Sequence, residues 1–187
     1  MNLPVPRAAL AALVAGLVAL PVAATEFKMT DKVGKGHVSA SLLIDGRYIQ
    51  PIVLADGREN RPREQSDAYF IADVKANSGN PWGLVKFAWV SFLSVHYRLE
   101  KLDGSWRDEG RLTPAIGKFG PHHGANVKLA GVGKYRYTLR IGPPDQGIER
   151  LVDRENGISW PEPFEVSWNF TYLGIGKKGV VGAAGGY

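Results

Sequence analysis

The sequence predicts an all-β fold, an immunoglobulin-like antiparallel β-sandwich. Three observations carry that expectation. Apolar and polar residues alternate with period two along several short runs. Gly, Pro, Asn and Asp clusters separate those runs. No helical period of about ten residues or more follows the N-terminal apolar run.

Taken in order, the chain opens as a secretory signal peptide. Arg7 supplies the positive charge, Ala8–Leu20 the apolar run, and Val22 and Ala24 the small residues that a signal peptidase reads. Residues 1–24 are therefore expected to be removed, leaving a periplasmic chain with no membrane span. The apolar run is shorter than the ~20 residues of a spanning helix.

Strands are expected at 37–44 and 47–54, with Asp45-Gly46 as the turn between them, and at 68–76. The "NSGNPWG" loop at 77–83 leads to a further strand over 89–99. Asp56-Gly57 and Asp103-Gly104 read as turns. Strands follow at 124–130, 135–141 and 164–172, with a "GPPDQG" turn at 142–147. The last is the clearest: Phe164, Val166, Trp168, Phe170 and Tyr172 alternate with Glu165, Ser167, Asn169 and Thr171. Residues 25–173 are expected to form one domain, and 174–187 a Gly-rich tail.

Composition narrows the chemistry. The 187 residues contain no cysteine, which excludes disulfides, thiolate metal sites, a cysteine nucleophile and an acylated lipobox cysteine. The formal charge of +5 is spread over scattered Lys and Arg, without the basic and aromatic interleaving of a nucleic-acid surface. No Gly-x-Ser-x-Gly elbow, phosphate-binding glycine loop or His-Glu-x-x-His helix occurs, so no enzyme is expected. Asp108-Glu109 reads as a solvated turn, His96 as an edge or packed strand histidine rather than a general base, and His37 as a strand start.

Two of the four histidines remain, in "FGPHHGAN" at 119–126. Glycine and proline frame this stretch as a turn. If it is extended instead, His122 and His123 point to opposite faces, and at most one can serve a given site.

The stretch belongs to a longer pattern. "GPHHGANVKLAGVGKYRYTLRIGPP", followed by "RLVDRENGISWPEPFEVSWNFTYLG", resembles the periplasmic iron-transport family, the copper-binding immunoglobulin-like partners of Ftr-type iron permeases, which includes treponemal lipoproteins. "YIQP" at 48–51 and "SDAYFIADVKA" at 66–76 resemble its early strands in order and spacing, so the likeness spans roughly 37–174. The resemblance implies a homodimeric sandwich that binds copper, with iron also handled, beside an iron permease.

It also implies a ligand set, which this chain mostly lacks. On the family's early ligand strand, Tyr69 stands at the first histidine, Ile71 at the glutamate and Lys75 at the second histidine. Asp73 is kept on that face. Thr113 and Ala115 fall on the methionine segment, Leu151 falls at a late histidine, and Glu149 stands where a second family histidine can occur. His122 is the retained ligand position, and His123 replaces a tyrosine. Met29 is the mature chain's sole methionine and lies outside the motifs.

Two expectations follow. One is a divergent metal-uptake protein with a weak copper or iron site on His122, to which His123, Tyr69, Asp73 or Glu149 adds N/O donors. The other is a metal-free module that uses the former ligand face as a protein–protein interface.

Overall fold

The computed structural model describes residues 33, 35–55, 57–118 and 120–174. The expected signal peptide (1–24), Met29, Asp56, Phe119 and the tail beyond Gly174 lie outside the described residues. Nine antiparallel strands are described: β1 (His37–Ser39), β2 (Leu42–Ile49), β3 (Ala68–Ala76), β4 (Leu93–Lys101), β5 (Arg107–Arg111), β6 (Thr113–Gly117), β7 (Gly120–Val127), β8 (Gly133–Pro144) and β9 (Phe164–Tyr172). They form two sheets, in the orders β1-β2-β3-β7-β6 and β5-β4-β8-β9. The expected β-sandwich is what the chain forms.

The inward-facing residues meet between the sheets. Phe70, Leu139 and Leu99 are fully buried, and Tyr135 and Tyr137 pack with Phe70, Phe170 and Trp168. Burying each large side chain contributes roughly 1.5–3 kcal/mol. Trp168 stays satisfied by donating its indole N–H to the Lys35 carbonyl at 2.7 Å.

Several local expectations are corrected. Asp45-Gly46 is not a turn, because β2 runs straight through it. The reversal comes earlier, at Ala40 and Ser41, where both φ angles are positive (48° and 61°) between the paired residues Ser39 and Leu42. Gly46 is small for another reason. A Cβ there would stand 2.6 Å from Val33 and 3.1 Å from Tyr137 and Trp168, so glycine lets the sheets approach.

The run expected over 89–99 divides between the two sheets. Trp89 bridges Lys75 on β3, and Val90 donates its N–H to the Val74 carbonyl at 3.1 Å. Phe92, with φ 62°, then turns the chain into β4. Asp108-Glu109 lies inside β5, where the Tyr97 hydroxyl donates to Asp108 at 3.2 Å. The buried Leu112 carries the chain from β5 in one sheet to β6 in the other. The histidine stretch is strand too, since β7 begins at Gly120.

Candidate functional site

Because β7 is extended, its adjacent histidines separate. His122 pairs with Ala115 on β6 and faces outward. His123 pairs with Ala72 on β3 and faces the interior, where it is fully buried. The two imidazoles cannot serve one ion on one face.

On the outer face, His122 meets Tyr69. The Tyr69 ring lies across Gly124, where a Cβ would stand 2.1 Å from its hydroxyl oxygen, so only glycine admits this path. Tyr69 Oη lies 3.1 Å from His122 Nε2, and the rings meet edge-on with centroids 5.7 Å apart. His122 Nδ1 lies 3.1 Å from the Gly120 carbonyl, which can only accept. Nδ1 therefore carries the proton, and Nε2 accepts the phenol hydrogen bond.

Both partners are held neutral. Burial pushes the Tyr69 phenol well above its ordinary range. Burial also pushes the His122 imidazole down, with Arg47 adding to the effect and the Gly120 carbonyl and Asp73 opposing it. The His122 imidazole thus has the lone pair of Nε2 engaged by a phenol.

Asp73 is engaged as well. It forms ion pairs with Arg47 and with Lys75, the latter at 2.8 Å. One carboxylate between two cations leaves this trio net positive, which disfavours a metal cation beside it. Ile71 is 6% exposed and sits level with Arg47 on β2 and Gly124 on β7. Ala115 stands directly across from His122, with a methyl group where the resemblance implies a thioether. Thr113 is turned to the backbone, its hydroxyl 3.4 Å from the Gly124 carbonyl.

The remaining positions that the resemblance implies are elsewhere. Glu149 and Leu151 are exposed on the segment joining β8 to β9, which belong to the other sheet. His123 packs against Trp89, with ring centroids 5.3 Å apart. Neither of its ring nitrogens has a hydrogen-bond partner, and the Trp89 indole N–H is also unpartnered. Burial, followed by His122 and Arg111, lowers the His123 pKa to about 4.

Sequence reasoning missed Arg47, Gly124 and Trp89. Misreading Asp45-Gly46 as a turn hid Arg47, whose register against Ile71 exists only if β2 is continuous. Among the described residues, no three or more His, Asp or Glu side chains converge on a point. Among the described residues the face carries one imidazole and no sulfur, so those residues do not fit a copper centre built on histidine and methionine.

Comparison with known proteins places these features. A family model described as Fe2+ transport protein matches residues 24–174. A UPF0423 protein of Brucella abortus (strain 2308) is 37% identical over 152 residues, covering 79% of this chain and 84% of that protein. The 34 kDa membrane antigen of Treponema pallidum (strain Nichols) is 29% identical over 144 residues, covering 73% and 71%.

Among solved structures, FetP of uropathogenic E. coli strain F11 is 34% identical, with a TM-score of 0.71 over 79% of this chain and 98% of that one. The copper-reconstituted P19 protein of Campylobacter jejuni is 32% identical, with a TM-score of 0.70 over 76% and 96%.

Proposed function

Because this chain belongs to the Fe2+ transport protein family, we propose that it serves metal uptake in the periplasm as a member with an altered ligand face. The structures of FetP and P19 that it resembles include copper-bound ones, which is the reason to ask about copper here. The observation that carries the reading is the hydrogen bond from Tyr69 to His122 Nε2. A metal reaching that nitrogen must first displace the phenol, and it then finds Ala115 rather than sulfur opposite.

Weak binding through His122 and the Tyr69 oxygen is therefore expected, with selectivity moved from soft Cu(I) towards harder ions such as ferric iron. Asp73 Oδ2 is held by Arg47 and Lys75, which leaves its unpartnered Oδ1 as the carboxylate atom open to such a site. The role in uptake, beside an iron permease, then rests on the protein surface more than on a tight metal centre.

Calorimetric titration with Cu(II) and Fe(III) tests this. Tyr69→His combined with Ala115→Met should tighten copper binding by about a hundredfold, as two donors return. His122→Ala should abolish what binding the native chain has. Tight, stoichiometric copper in the native chain that survives His122→Ala would overturn the reading.

The second reading, a metal-free protein interface, is favoured at one position. Leu151 is 62% exposed and stands beside Val152, which is 84% exposed. Tyr69 and Ile71 do not offer that surface, because each is already buried within a single copy. If copies associate through the β8–β9 segment, Leu151→Asp should convert a dimer to a monomer on a sizing column. An unchanged elution volume would remove this reading.

A further inference from the structure

The outer face of the second sheet carries an arrangement that the metal reading leaves unused. His96 on β4 lies in register with Arg111 on β5 and with Arg140 on β8, and Arg140 is in turn level with Glu165 on β9. One row thus crosses all four strands. Two adjoining hollows share His96 and Arg140 in their walls. The smaller, about 150 Å³, adds Ser94, Arg150 and a floor of Gly142 and Pro163. The larger, about 260 Å³, adds Arg98 and Thr138.

The ionic contacts on this face sort its cations into two groups. Arg111 grips Asp145 with both terminal nitrogens, Arg98 contacts Glu100 and Glu165, and Arg107 pairs with Glu109. Those contacts engage the carboxylates lining the hollows, Asp145, Glu109 and Glu165. Among the described residues, Arg140 and Arg150 have no ion-pair partner, although both border the smaller hollow.

A second observation concerns Thr138. It is 3% exposed on a face where its neighbours Arg136 and Arg140 are open to solvent, and its hydroxyl has no hydrogen-bond partner. Thr138 is one of the residues lining the larger hollow. A buried hydroxyl without a partner is costly, and a bound acceptor would satisfy it.

We propose that these hollows form a binding site for a small multivalent oxyanion, seated on Arg140 and Arg150 and steadied by Ser94, His96 and Thr138. A guanidinium offers the forked donors that carboxylate and phosphate oxygens accept in pairs. Two hollows joined at Arg140 suit a ligand bearing more than one anionic oxygen group. The site is independent of the Tyr69–His122 face and survives the failure of any metal role.

Titration of the full chain with citrate and, separately, with inorganic phosphate tests the site. The readouts are calorimetric heat and shifts of the His96 ring protons. Saturable binding with His96 shifts is expected for at least one anion. Citrate alone identifies a polycarboxylate ligand, and phosphate alone a phosphate ligand.

Arg140→Ala should weaken binding by about tenfold or more, the worth of one charge-assisted contact. Arg136→Ala, on the same face but outside both hollows, should leave it unchanged. A thermal melt of each exposed-site variant checks that the fold is kept. No saturable binding by either anion, or equal loss in the Arg136 and Arg140 variants, would overturn the proposal.

Discussion

On the first sheet, β3 is buried on both faces from Ala68 to Val74, whereas on the second, β8 exposes Lys134, Arg136 and Arg140 and buries the tyrosines between them. The first face is closed by its own chain. Tyr69 covers Gly124 and engages His122, Arg47 and Lys75 hold Asp73, and Asn126 accepts from Ile52 N–H at 3.0 Å and donates to the Ile52 and Arg61 carbonyls at 2.9 Å. The second face is open, with hollows and unpaired arginines. The likeness to metal-binding relatives thus directs attention to a face whose imidazole is already engaged by Tyr69 and whose carboxylate is already paired with two cations, whereas the proposed oxyanion site lies on the other.

The strongest test of that contrast compares two glycines. Gly124→Ala must drive Tyr69 off its path, because the new Cβ would meet Oη at 2.1 Å, and should cost about 2–3 kcal/mol in urea unfolding. Gly142→Ala on the open face places its Cβ 3.4 Å from Pro163, an ordinary contact, and should change stability by less than about 0.5 kcal/mol. Equal costs would mean that the first face is not closed as described.

Acid should find the closed side next. The His123 pKa of about 4 lies below the ordinary 6.5, so the unfolded chain takes up the proton first. The stability is complete above pH 6.5 and falls as pH drops towards 4, by up to about 3 kcal/mol. The lowered His122 pKa acts in the same direction. His123→Leu removes the unpartnered nitrogens and should flatten the slope without loss at pH 7, as read by unfolding at several pH values. A slope as steep in that variant would assign the acid sensitivity elsewhere.

The smallest effect concerns the β1–β2 hairpin, whose turn residues take no part in either site. Ala40 and Ser41 hold positive φ angles that asparagine and glycine adopt more readily. Ala40→Asn with Ser41→Gly should raise stability by about 0.5–1 kcal/mol by thermal melting. A destabilised variant would show that these side chains do more than turn the chain.

Much of the sandwich was legible because alternation in stretches such as 135–141 and 164–172 is a local property that burial of one sheet face requires. The strands that escaped notice lack that signal. β5, with its run of charged residues, and β6, which opens Thr-Pro-Ala, are edge strands with one neighbour each. The Asp45-Gly46 turn failed because the same dipeptide that suits a hairpin also suits a close approach between sheets, and sequence does not distinguish the two.

By itself, the sequence determined the fold class and the absence of thiol chemistry, and its resemblance to the family singled out His122 as an expected ligand position. Those are matters of residue type, spacing and alternation. The tertiary structure alone decided what His122 can do. Strand pleat sends His123 inward, register sets Ala115 opposite and Arg47 alongside, and the space above Gly124 brings the Tyr69 hydroxyl from 53 residues away onto Nε2. Ligation depends on where lone pairs point and what already occupies them. Both are fixed by contacts between strands that lie far apart in the chain.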